Sequence, residues 1–291
     1  MLVQSVGLWL WSVHPPLLRE GKPTVTASSL APVPPEVLAD LGRASTATLA
    51  TQLYRRGIRQ PFLVGLSPVG SRFQGFVGVA RTMRFIPARE DIDPMDDPYR
   101  TGNVLQWEAV ERVGPGEVIV VDSRNDITAA SAGDMLVTRA MKRGAAAFVT
   151  DGAFRDGAAL AELGFPVYSR AITATTRPAS FHVAELDVPI GCAGVAVYPG
   201  DILVGDRDGI IVVPRTLAPE IAGPAAEQEA LENYLHSRVQ QGEELWGVYP
   251  PNEQTLAEYR EWRGARDTAA ADAPVYGEST STSVNSMEAT R

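Results

Sequence analysis

The middle of the chain alternates between apolar strands and short helices, and this alternation constrains the fold more than any other feature. Gly116–Asp122 and Ala145–Asp151 are apolar runs that each end at an aspartate. Gly133–Gly144, between them, has a glycine at each end and predicts a helix. A shorter helix, Gly157–Leu163, and a strand, Phe165–Ser169, follow directly. Such a rhythm is typical of a mixed α/β layered domain.

The flanking segments extend this domain in both directions. Helices are predicted at Glu36–Leu41, behind two prolines, and at Ala47–Arg56. Short strands joined by turns are predicted over Ala184–Val213. Two further helices are expected, at Pro224–Gln241 and directly after Asn252, whose side chain is suited to cap a helix N-terminus.

These patterns divide the chain into four predicted parts. Residues 1–34 are rich in Pro, Ser and Thr and are read as an N-terminal arm, and residues 35–225 as the α/β domain. Residues 226–263 form a predicted C-terminal helical extension. Residues 264–291 have almost no apolar bulk and are predicted to be a disordered tail.

Charge and residue usage exclude several classes of protein. The net charge is −9, which disfavours binding to a nucleic-acid backbone. Cys192 is the one cysteine, so no intrachain disulfide and no cysteine-rich metal site can form. It is predicted to be a small buried residue rather than a nucleophile, because no histidine adjoins it. The histidines do not cluster at the spacing of a zinc site; they are His14, His182 and His236.

The apolar stretch near the N-terminus, Val6–Val13, is not expected to act as a signal peptide or a membrane anchor. It lacks a basic leading region and a small-residue cleavage site, and Pro15-Pro16 follow it. No apolar run in the chain approaches the roughly 18 residues of a membrane span. The sequence therefore predicts a cytoplasmic protein that does not associate with membranes.

Two short motifs carry groups suited to catalysis. Gly133–Leu136 begins a predicted helix, where backbone amides and the helix dipole can hold a carboxylate, although an ordinary capped helix start is the commoner explanation. Arg155 and Asp156 come just after a strand that ends at Asp151. The arginine can bind a carboxylate or an enolate oxygen, and the aspartate can bind a hard divalent ion. A surface ion pair is the alternative.

A third motif, Pro199–Pro214, contains Asp206–Gly209, which faintly resembles a calcium-binding loop. It lacks the remaining ligand positions and the final glutamate, so we reject a calcium site. Asp-Gly between two apolar runs instead predicts a β-hairpin.

Together these motifs resemble the family named for the regulator of ribonuclease activity A. Asp134 is separated from Arg155-Asp156 by twenty residues, and the Pro199–Pro214 segment follows. The resemblance covers about residues 35 to 225. The family includes class II pyruvate aldolases that act on 4-hydroxy-4-methyl-2-oxoglutarate. The resemblance implies an RraA-like, swivelling β/β/α layered fold that assembles into a homotrimer or, by doubling, a homohexamer.

The resemblance also implies a role for each site residue. The amides of Gly133, Asp134, Met135 and Leu136 would hold the pyruvyl carboxylate, and Arg155 would contact the carbonyl or enolate oxygen. Asp156 would bind Mg²⁺ or Mn²⁺, with Asp134 acting in catalysis through metal-bound water. Regulators of the family tend to lose these acids, so their presence favours catalysis.

The basic residues favour a metal mechanism over an imine mechanism. Cleavage of a carbon–carbon bond beside a 2-oxo acid requires stabilisation of an enolate by a lysine imine or by a metal. The lysines are Lys22, in the predicted arm, and Lys142, at a helix C-terminus where a cation complements the dipole. The leading hypothesis is a metal-dependent aldolase acting on a small 2-oxo acid, with oxaloacetate decarboxylation as a side activity. The alternatives are a non-catalytic regulator that binds a protein partner, and a lyase or dehydratase acting on a sugar-derived acid.

One further residue is predicted to bind substrate. Arg84–Tyr99 is charged and broken by prolines, which predicts a long loop, and such loops often carry function. The distal polar end of a dicarboxylic or polyhydroxy substrate would lie beyond the Gly133–Leu136 amides. Arg89 is therefore predicted to bind it, against the alternative of an inert, solvated loop.

Overall fold

The computed structural model describes residues 31–72, 75–93 and 103–271. Its helices are α1 (Pro35–Leu41), α2 (Thr46–Tyr54), α3 (Asn103–Arg112), α4 (Asp134–Lys142), α5 (Gly157–Glu162), α6 (Ala218–Gln240) and α7 (Glu253–Ala271). Its strands are β1 (Ser67–Pro68), β2 (Phe76–Pro87), β3 (Glu117–Asp122), β4 (Ala130–Ala132), β5 (Ala147–Thr150), β6 (Ala153–Phe154), β7 (Val167–Ser169), β8 (Ala171–Ile172), β9 (Phe181–Leu186), β10 (Ile190–Cys192), β11 (Val195–Val197), β12 (Ile202–Gly205) and β13 (Ile210–Val213).

The main sheet has the strand order β1-β7-β5-β3-β2-β12-β13, and β9 also pairs with β2. Its centre is parallel: β2 pairs with β3, β3 with β5, and β5 with β7. The remaining pairs are antiparallel. The long strand β2 pairs with β12 near its start and with β9 near its end, so one strand joins two parts of the sheet.

A second, smaller sheet consists of the short parallel strands β4, β6 and β8. Parallel strands present their carboxyl ends at one edge. The loops after these three strands therefore begin side by side.

Both faces of the main sheet are buried, which explains the continuous apolar runs in the sequence. Within β3, Val118 and Val120 pack on one face with the β10–β11 hairpin. Ile119 and Val121 pack on the other face with apolar side chains of α3, α4 and α5. A third cluster joins α1, α2 and α6 to β12 and β13.

Most of the predicted elements are present. The strand–helix–strand order of the middle segment is confirmed by β3, α4, β5, α5 and β7. The Asp-Gly hairpin connects β12 and β13, and the Asp206 carboxylate accepts hydrogen bonds from the amides of Asp208 and Gly209. Asn252 caps α7 by accepting a hydrogen bond from the Thr255 amide at 2.8 Å. Cys192 is fully buried, as predicted, and burial raises the pKa of its thiol.

Three boundaries differ from the prediction. The predicted Arg84–Tyr99 loop begins as strand, because β2 continues to Pro87 by pairing with β9 and burying Phe85. Helix α6 begins at Ala218 rather than at Pro224, since Pro219 already occupies its first turn. The predicted strand Ala145–Asp151 ends one residue earlier, at Thr150 of β5, and a separate short strand, β6, follows at Ala153–Phe154.

Two helices cross the predicted boundaries between the four parts. Helix α6 crosses residue 225, so the α/β domain and the helical extension share an element. Helix α7 continues to Ala271, eight residues into the predicted tail, because alanine favours helix there. Residues 1–30 of the predicted arm and residues 272–291 lie outside the described residues. The division itself stays a prediction.

No helix in the described ranges is both long enough and apolar enough to cross a membrane.

Candidate active site

A cavity of about 300 Å³ opens at the carboxyl ends of β4, β6 and β8. Its lining consists of Gln106, Trp107, residues 130–136, Arg155, Asp156 and residues 176–178. The loops that follow these three strands thus all contribute residues to the lining of one cavity. The structure brings together six of the residues that the sequence predicted as a site: Gly133, Asp134, Met135, Leu136, Arg155 and Asp156.

Helix α4 begins at the wall of this cavity. Its N-cap residue is Gly133, which has no side chain to cap the first-turn amides. These amides have no acceptor within the helix, and the helix dipole adds partial positive charge. The Asp134 amide donates to Oδ2 of Asp156 at 3.3 Å. A carboxylate therefore already lies at this terminus, which shows that the geometry suits an anion.

Gly133 is required by close packing and not by its backbone angles. Its φ of −119° and ψ of −177° are extended values that any residue adopts. A Cβ at this position would lie 2.6 Å from Asp156 Oδ2 and 3.0 Å from Arg155 Cγ. The missing side chain therefore lets the two charged residues approach the helix terminus.

Arg155 and Asp156 are placed by the end of β6. The Arg155 amide donates to the Ala132 carbonyl at 3.1 Å, which ties this loop to β4. Asp156 has a left-handed conformation with φ of 62°, unusual for a residue with a side chain, and it begins α5. Strain of this kind is concentrated at functional sites. Arg155 Nε lies 3.3 Å from Asp156 Oδ2, and both side chains are partly exposed to the cavity.

Buried hydroxyl groups support the wall of the cavity from behind. Ser131 Oγ lies 2.6 Å from Thr150 Oγ1 and 2.7 Å from Ser123 Oγ. All three side chains are fully buried, and they join β4 to the ends of β3 and β5. Because buried polar groups are costly to leave unpaired, this network fixes the position of β4 and hence of Gly133.

Asp151, next to this network, holds together the loops that follow β3 and β10. Its carboxylate accepts hydrogen bonds from the amides of Ser123 at 2.6 Å, Asn125 at 3.2 Å and Ala193 at 3.3 Å. Burial raises the pKa of Asp151, against the effect of these amides. Its role is structural, since it does not line the cavity.

Gln106 and Arg177 are among the cavity-lining residues that the sequence reasoning missed. Both are almost fully buried, with 3% and 4% of their surface exposed. Arg177 Nε donates to Gln106 Oε1 at 3.2 Å, and Gln106 Nε2 donates to the Ser131 carbonyl at 2.5 Å. Burial lowers the pKa of Arg177 to about 10, so the side chain remains a cation at neutral pH.

The structure does not bring Arg89 to the cavity. Arg89 is exposed and forms a two-pronged ion pair with Asp91, with Nε to Oδ1 at 2.6 Å and Nη2 to Oδ2 at 3.1 Å. It is absent from the cavity lining. Arg84, from the same predicted loop, lies in β2 and pairs with Glu185 on β9. The prediction that Arg89 binds substrate therefore has no support in this geometry.

The donor groups of the cavity fit a hard divalent cation. Within the described ranges, no three His, Cys, Asp or Glu side chains converge as a metal site. The cavity itself offers two carboxylates, Asp134 and Asp156. Mg²⁺ is usually held by one or two carboxylates together with water, whereas structural zinc needs four ligands. The residues present therefore fit Mg²⁺ or Mn²⁺ and not structural zinc.

Comparison with known proteins identifies a matching family. The family model RraA-like, described as Aldolase/RraA, matches residues 46–212, which is more than half of the chain. The chain is 32% identical over 165 residues to the 4-hydroxy-4-methyl-2-oxoglutarate aldolase of Thermus thermophilus. That alignment covers 56% of this chain and 89% of the relative.

Solved structures confirm the predicted fold. Streptomyces coelicolor RraAS2, described as an unusual member of the RNase ES inhibitor RraA protein family, matches with a TM-score of 0.62 at 33% identity. The match covers 70% of this chain and 98% of that one. An uncharacterized protein from Pseudomonas syringae pv. tomato shares the fold, with a TM-score of 0.64 at 24% identity, covering 76% of this chain and 100% of that one.

Proposed function

The chain belongs to the RraA-like family, and from this premise we propose that it is a divalent-metal-dependent lyase of the class II pyruvate aldolase type. It would cleave a 4-hydroxy-2-oxo acid to pyruvate through an enolate, with oxaloacetate decarboxylation as a side reaction. The observation that carries the proposal is the convergence of the α4 N-terminus, Arg155 and Asp156 on one cavity. The aldolase name of the Thermus thermophilus relative supports it.

The chain supplies groups for each part of such a substrate. The first-turn amides of α4, at Gly133–Leu136, would bind the carboxylate beside the 2-oxo group. The Arg155 guanidinium would donate to the 2-oxo oxygen and would bind it more tightly as negative charge develops there. This preference for the enolate over the ketone is what lowers the barrier.

Asp134 is assigned the proton transfers. Cleavage removes a proton from the C4 hydroxyl and breaks the C3–C4 bond, which leaves a carbonyl at C4 and the enolate of pyruvate. The enolate then takes a proton at C3, so one carboxylate that accepts and returns a proton through water balances the reaction. Asp134 lines the cavity at the start of α4, beside the carboxylate-binding amides.

Asp156, with Asp134 nearby, would hold Mg²⁺ or Mn²⁺. When bound, such a cation stabilises negative charge on the substrate oxygens. The Asp156 carboxylate lies 3.3 Å from both the Asp134 amide and Arg155 Nε, so it stands beside the two groups that would bind the substrate.

A non-catalytic regulator is the second candidate, and the likeness to the Streptomyces coelicolor relative favours it. A regulator that binds a protein partner has no need for two cavity carboxylates beside an arginine and an open helix terminus. The arrangement at residues 133–136 and 155–156 therefore favours the lyase.

The experiment that separates the two candidates measures pyruvate release from a panel of branched 4-hydroxy-2-oxo acids and from oxaloacetate. The protein is assayed as purified, after treatment with a chelator, and after Mg²⁺ or Mn²⁺ is returned. We expect release that the chelator abolishes and the metal restores. Absence of release from every acid, or release that the chelator leaves unchanged, would contradict the proposal.

The assembly and cellular location complete the proposal. We propose a cytoplasmic homo-oligomer, either a trimer or a hexamer, in line with the family assignment. Size-exclusion chromatography with light scattering distinguishes these masses, and a monomer would contradict this part.

A further inference from the structure

We propose that the apolar segment Val6–Val13 docks on a groove at the end of α6 in the same chain, where it covers Trp246. This groove, the α6 groove, lies in the C-terminal helical part of the chain, outside the residues 46–212 that the family model matches. It shares no lining residue with the candidate active-site cavity, so the proposal does not depend on the lyase function.

Two adjoining depressions form the α6 groove. One, of about 370 Å³, runs along α6, and the other, of about 720 Å³, lies against Trp246. The lining includes Glu232, His236, Val239, Leu245, Trp246 and Tyr249. Trp246 is 90% exposed, Tyr249 64% and Leu245 55%. Large apolar side chains grouped in this way indicate a binding surface, whereas isolated ones are ordinary.

The turn that carries Trp246 is held in place by contacts with α7 and its cap. The Gly247 carbonyl accepts hydrogen bonds from Thr255 Oγ1 at 2.7 Å and from the Asn252 amide at 2.9 Å. Val248, which follows directly, is buried. Trp246 is therefore presented to solvent by a fixed turn, and a partner that covers it does not have to order this turn first.

Residue 31, the first that the structure describes, lies beside the same helix. The Ala31 carbonyl accepts a hydrogen bond from the guanidinium of Arg215, which comes just before α6, and α1 packs on α6. Helix α6 has 23 residues and is therefore about 35 Å long. Residues 14–30 can extend over about 55 Å. Val6–Val13 can therefore reach Trp246 from the start of α6 within one chain.

The composition of Val6–Val13 suits the apolar end of the α6 groove. The segment consists of Val, Leu, Trp, Leu, Trp and Val together with one glycine and one serine. Burying these side chains against Trp246, Tyr249 and Leu245 removes apolar surface of both partners from water, which is the main favourable contribution to association. Aromatic ring pairs strengthen the contact, and the tether within one chain raises the effective concentration of the segment.

Charge complementarity favours the same occupant. Residues 14–30 carry Arg19 and Lys22 against a single acidic residue, Glu20. On the way from the start of α6 to Trp246 they would pass the wall of the groove where Glu232 is exposed. Opposite charges attract along this path, whereas a second copy of a chain with a net charge of −9 would meet an acidic surface with its own.

Photo-crosslinking identifies the occupant. Trp246 is replaced in the full chain by p-benzoylphenylalanine, which keeps an aromatic side chain there, and the irradiated protein is separated on a denaturing gel and digested with trypsin. We expect a link to residues 6–13, within the tryptic peptide Met1–Arg19, in a product with the mass of one chain. Loss of this link is expected in Trp9→Ser/Trp11→Ser. The matched control carries the same group at Tyr54, an exposed aromatic residue outside the groove, where no such link should form.

The other outcomes overturn the proposal. A link to Met1–Arg19 in a product with the mass of two chains would show that the segment of one copy covers another copy. A link to a different part of a second copy, or to a foreign protein, would show that another partner covers Trp246. Absence of any link would show that nothing covers it.

Thermal unfolding provides an independent measurement. We expect Trp246→Ser to lower the melting temperature by about 2–4 °C in the unaltered chain and by less than about 1 °C in Trp9→Ser/Trp11→Ser, where the contact is already lost. Tyr54→Ser, the control, should have the same effect in both backgrounds. An equal effect of Trp246→Ser in both backgrounds would overturn the proposal.

Discussion

Replacing Gly133 with alanine tests whether close approach at the α4 terminus is needed for activity. The backbone angles of Gly133 are accessible to alanine, so the substitution introduces no strain there. The added Cβ would lie 2.6 Å from Asp156 Oδ2, and ordinary contact at 3.4 Å requires the carboxylate to retreat by about 0.8 Å. Arg155 Cγ, at 3.0 Å, would have to move by about 0.4 Å.

The expected result is a large loss of activity with a small change in stability. Displacements approaching 1 Å at reacting groups cost up to about 100-fold in rate, so we expect kcat to fall about 10- to 100-fold. Overpacking a rigid core costs about 1–3 kcal/mol. Here the displaced side chains are 35% and 44% exposed and can swing toward solvent, so the free energy of unfolding should change by less than about 1 kcal/mol.

The assay measures pyruvate release and thermal unfolding on the same samples. Gly191→Ala is the matched control, because a Cβ at Gly191 would meet nothing within 4 Å. It should leave both measurements unchanged. If Gly133→Ala keeps full activity, the close approach of Asp156 to the helix terminus is unimportant for catalysis. If its activity falls only in proportion to unfolding, the effect is one of folding.

Three further predictions follow from other contacts. Asp156→Asn should abolish chelator-sensitive pyruvate release while leaving the melting temperature nearly unchanged, because the side chain lies at the cavity surface and asparagine, unlike alanine, tolerates the left-handed backbone at this position. Arg155→Lys should lower kcat at least about tenfold, since an ammonium cannot reproduce the planar fork, and recovery of most of kcat would make the arginine structural. Glu229→Gln should lower the free energy of unfolding at pH 7 by about 1–2 kcal/mol, because Glu229 accepts hydrogen bonds from the Ser45 amide, Ser45 Oγ and Thr48 Oγ1. Burial opposes these bonds, but the bonds together have the larger effect and lower the pKa of Glu229. The stability that they provide is therefore present above the ordinary pKa of 4.5 and is lost as pH falls through the lower pKa of the folded state. Urea titrations across pH measure this stability, with Glu232→Gln as the control, and equal behaviour of the two variants would contradict the prediction.

Most of the candidate catalytic groups could be predicted from the sequence, because each follows a recognisable element. Gly133–Leu136 opens a helix with clear end signals, and Arg155-Asp156 follows an apolar strand. The local sequence pattern is enough to place such residues at the edge of a sheet, without knowledge of the residues that they contact in the fold. The family resemblance then supplied the joint pattern that neither motif carries alone.

The part of the cavity lining formed by Gln106 and Arg177 could not be predicted in the same way. Arg177 lies in a stretch rich in threonine that has no strong periodicity, and nothing local indicates that it is buried. Its position depends on Gln106, which is 71 residues away in the chain, and on the Phe181 carbonyl. Arg89 attracted attention because it lies in a charged segment, yet its charge is engaged locally by Asp91. The two arginines differ because Arg177 is buried at the cavity and Arg89 is exposed. This difference comes from long-range packing, which a local sequence pattern does not show.

The arrangement of the three loops explains how one scaffold could change its substrate without changing its reaction. The loops after β4 and β6 carry the groups assigned to the 2-oxo end, and buried hydroxyls behind β4 hold them rigidly. The loop after β8 carries Arg177 and contacts β4 through Thr175, α3 through Gln106 and the start of β9 through Phe181. Substitutions in that loop would alter the cavity lining at residues 176–178 while leaving the α4 terminus, Arg155 and Asp156 in place. Differences in substrate among proteins of this fold should therefore be concentrated in the segment after β8 and in the turn of α3 that supports it.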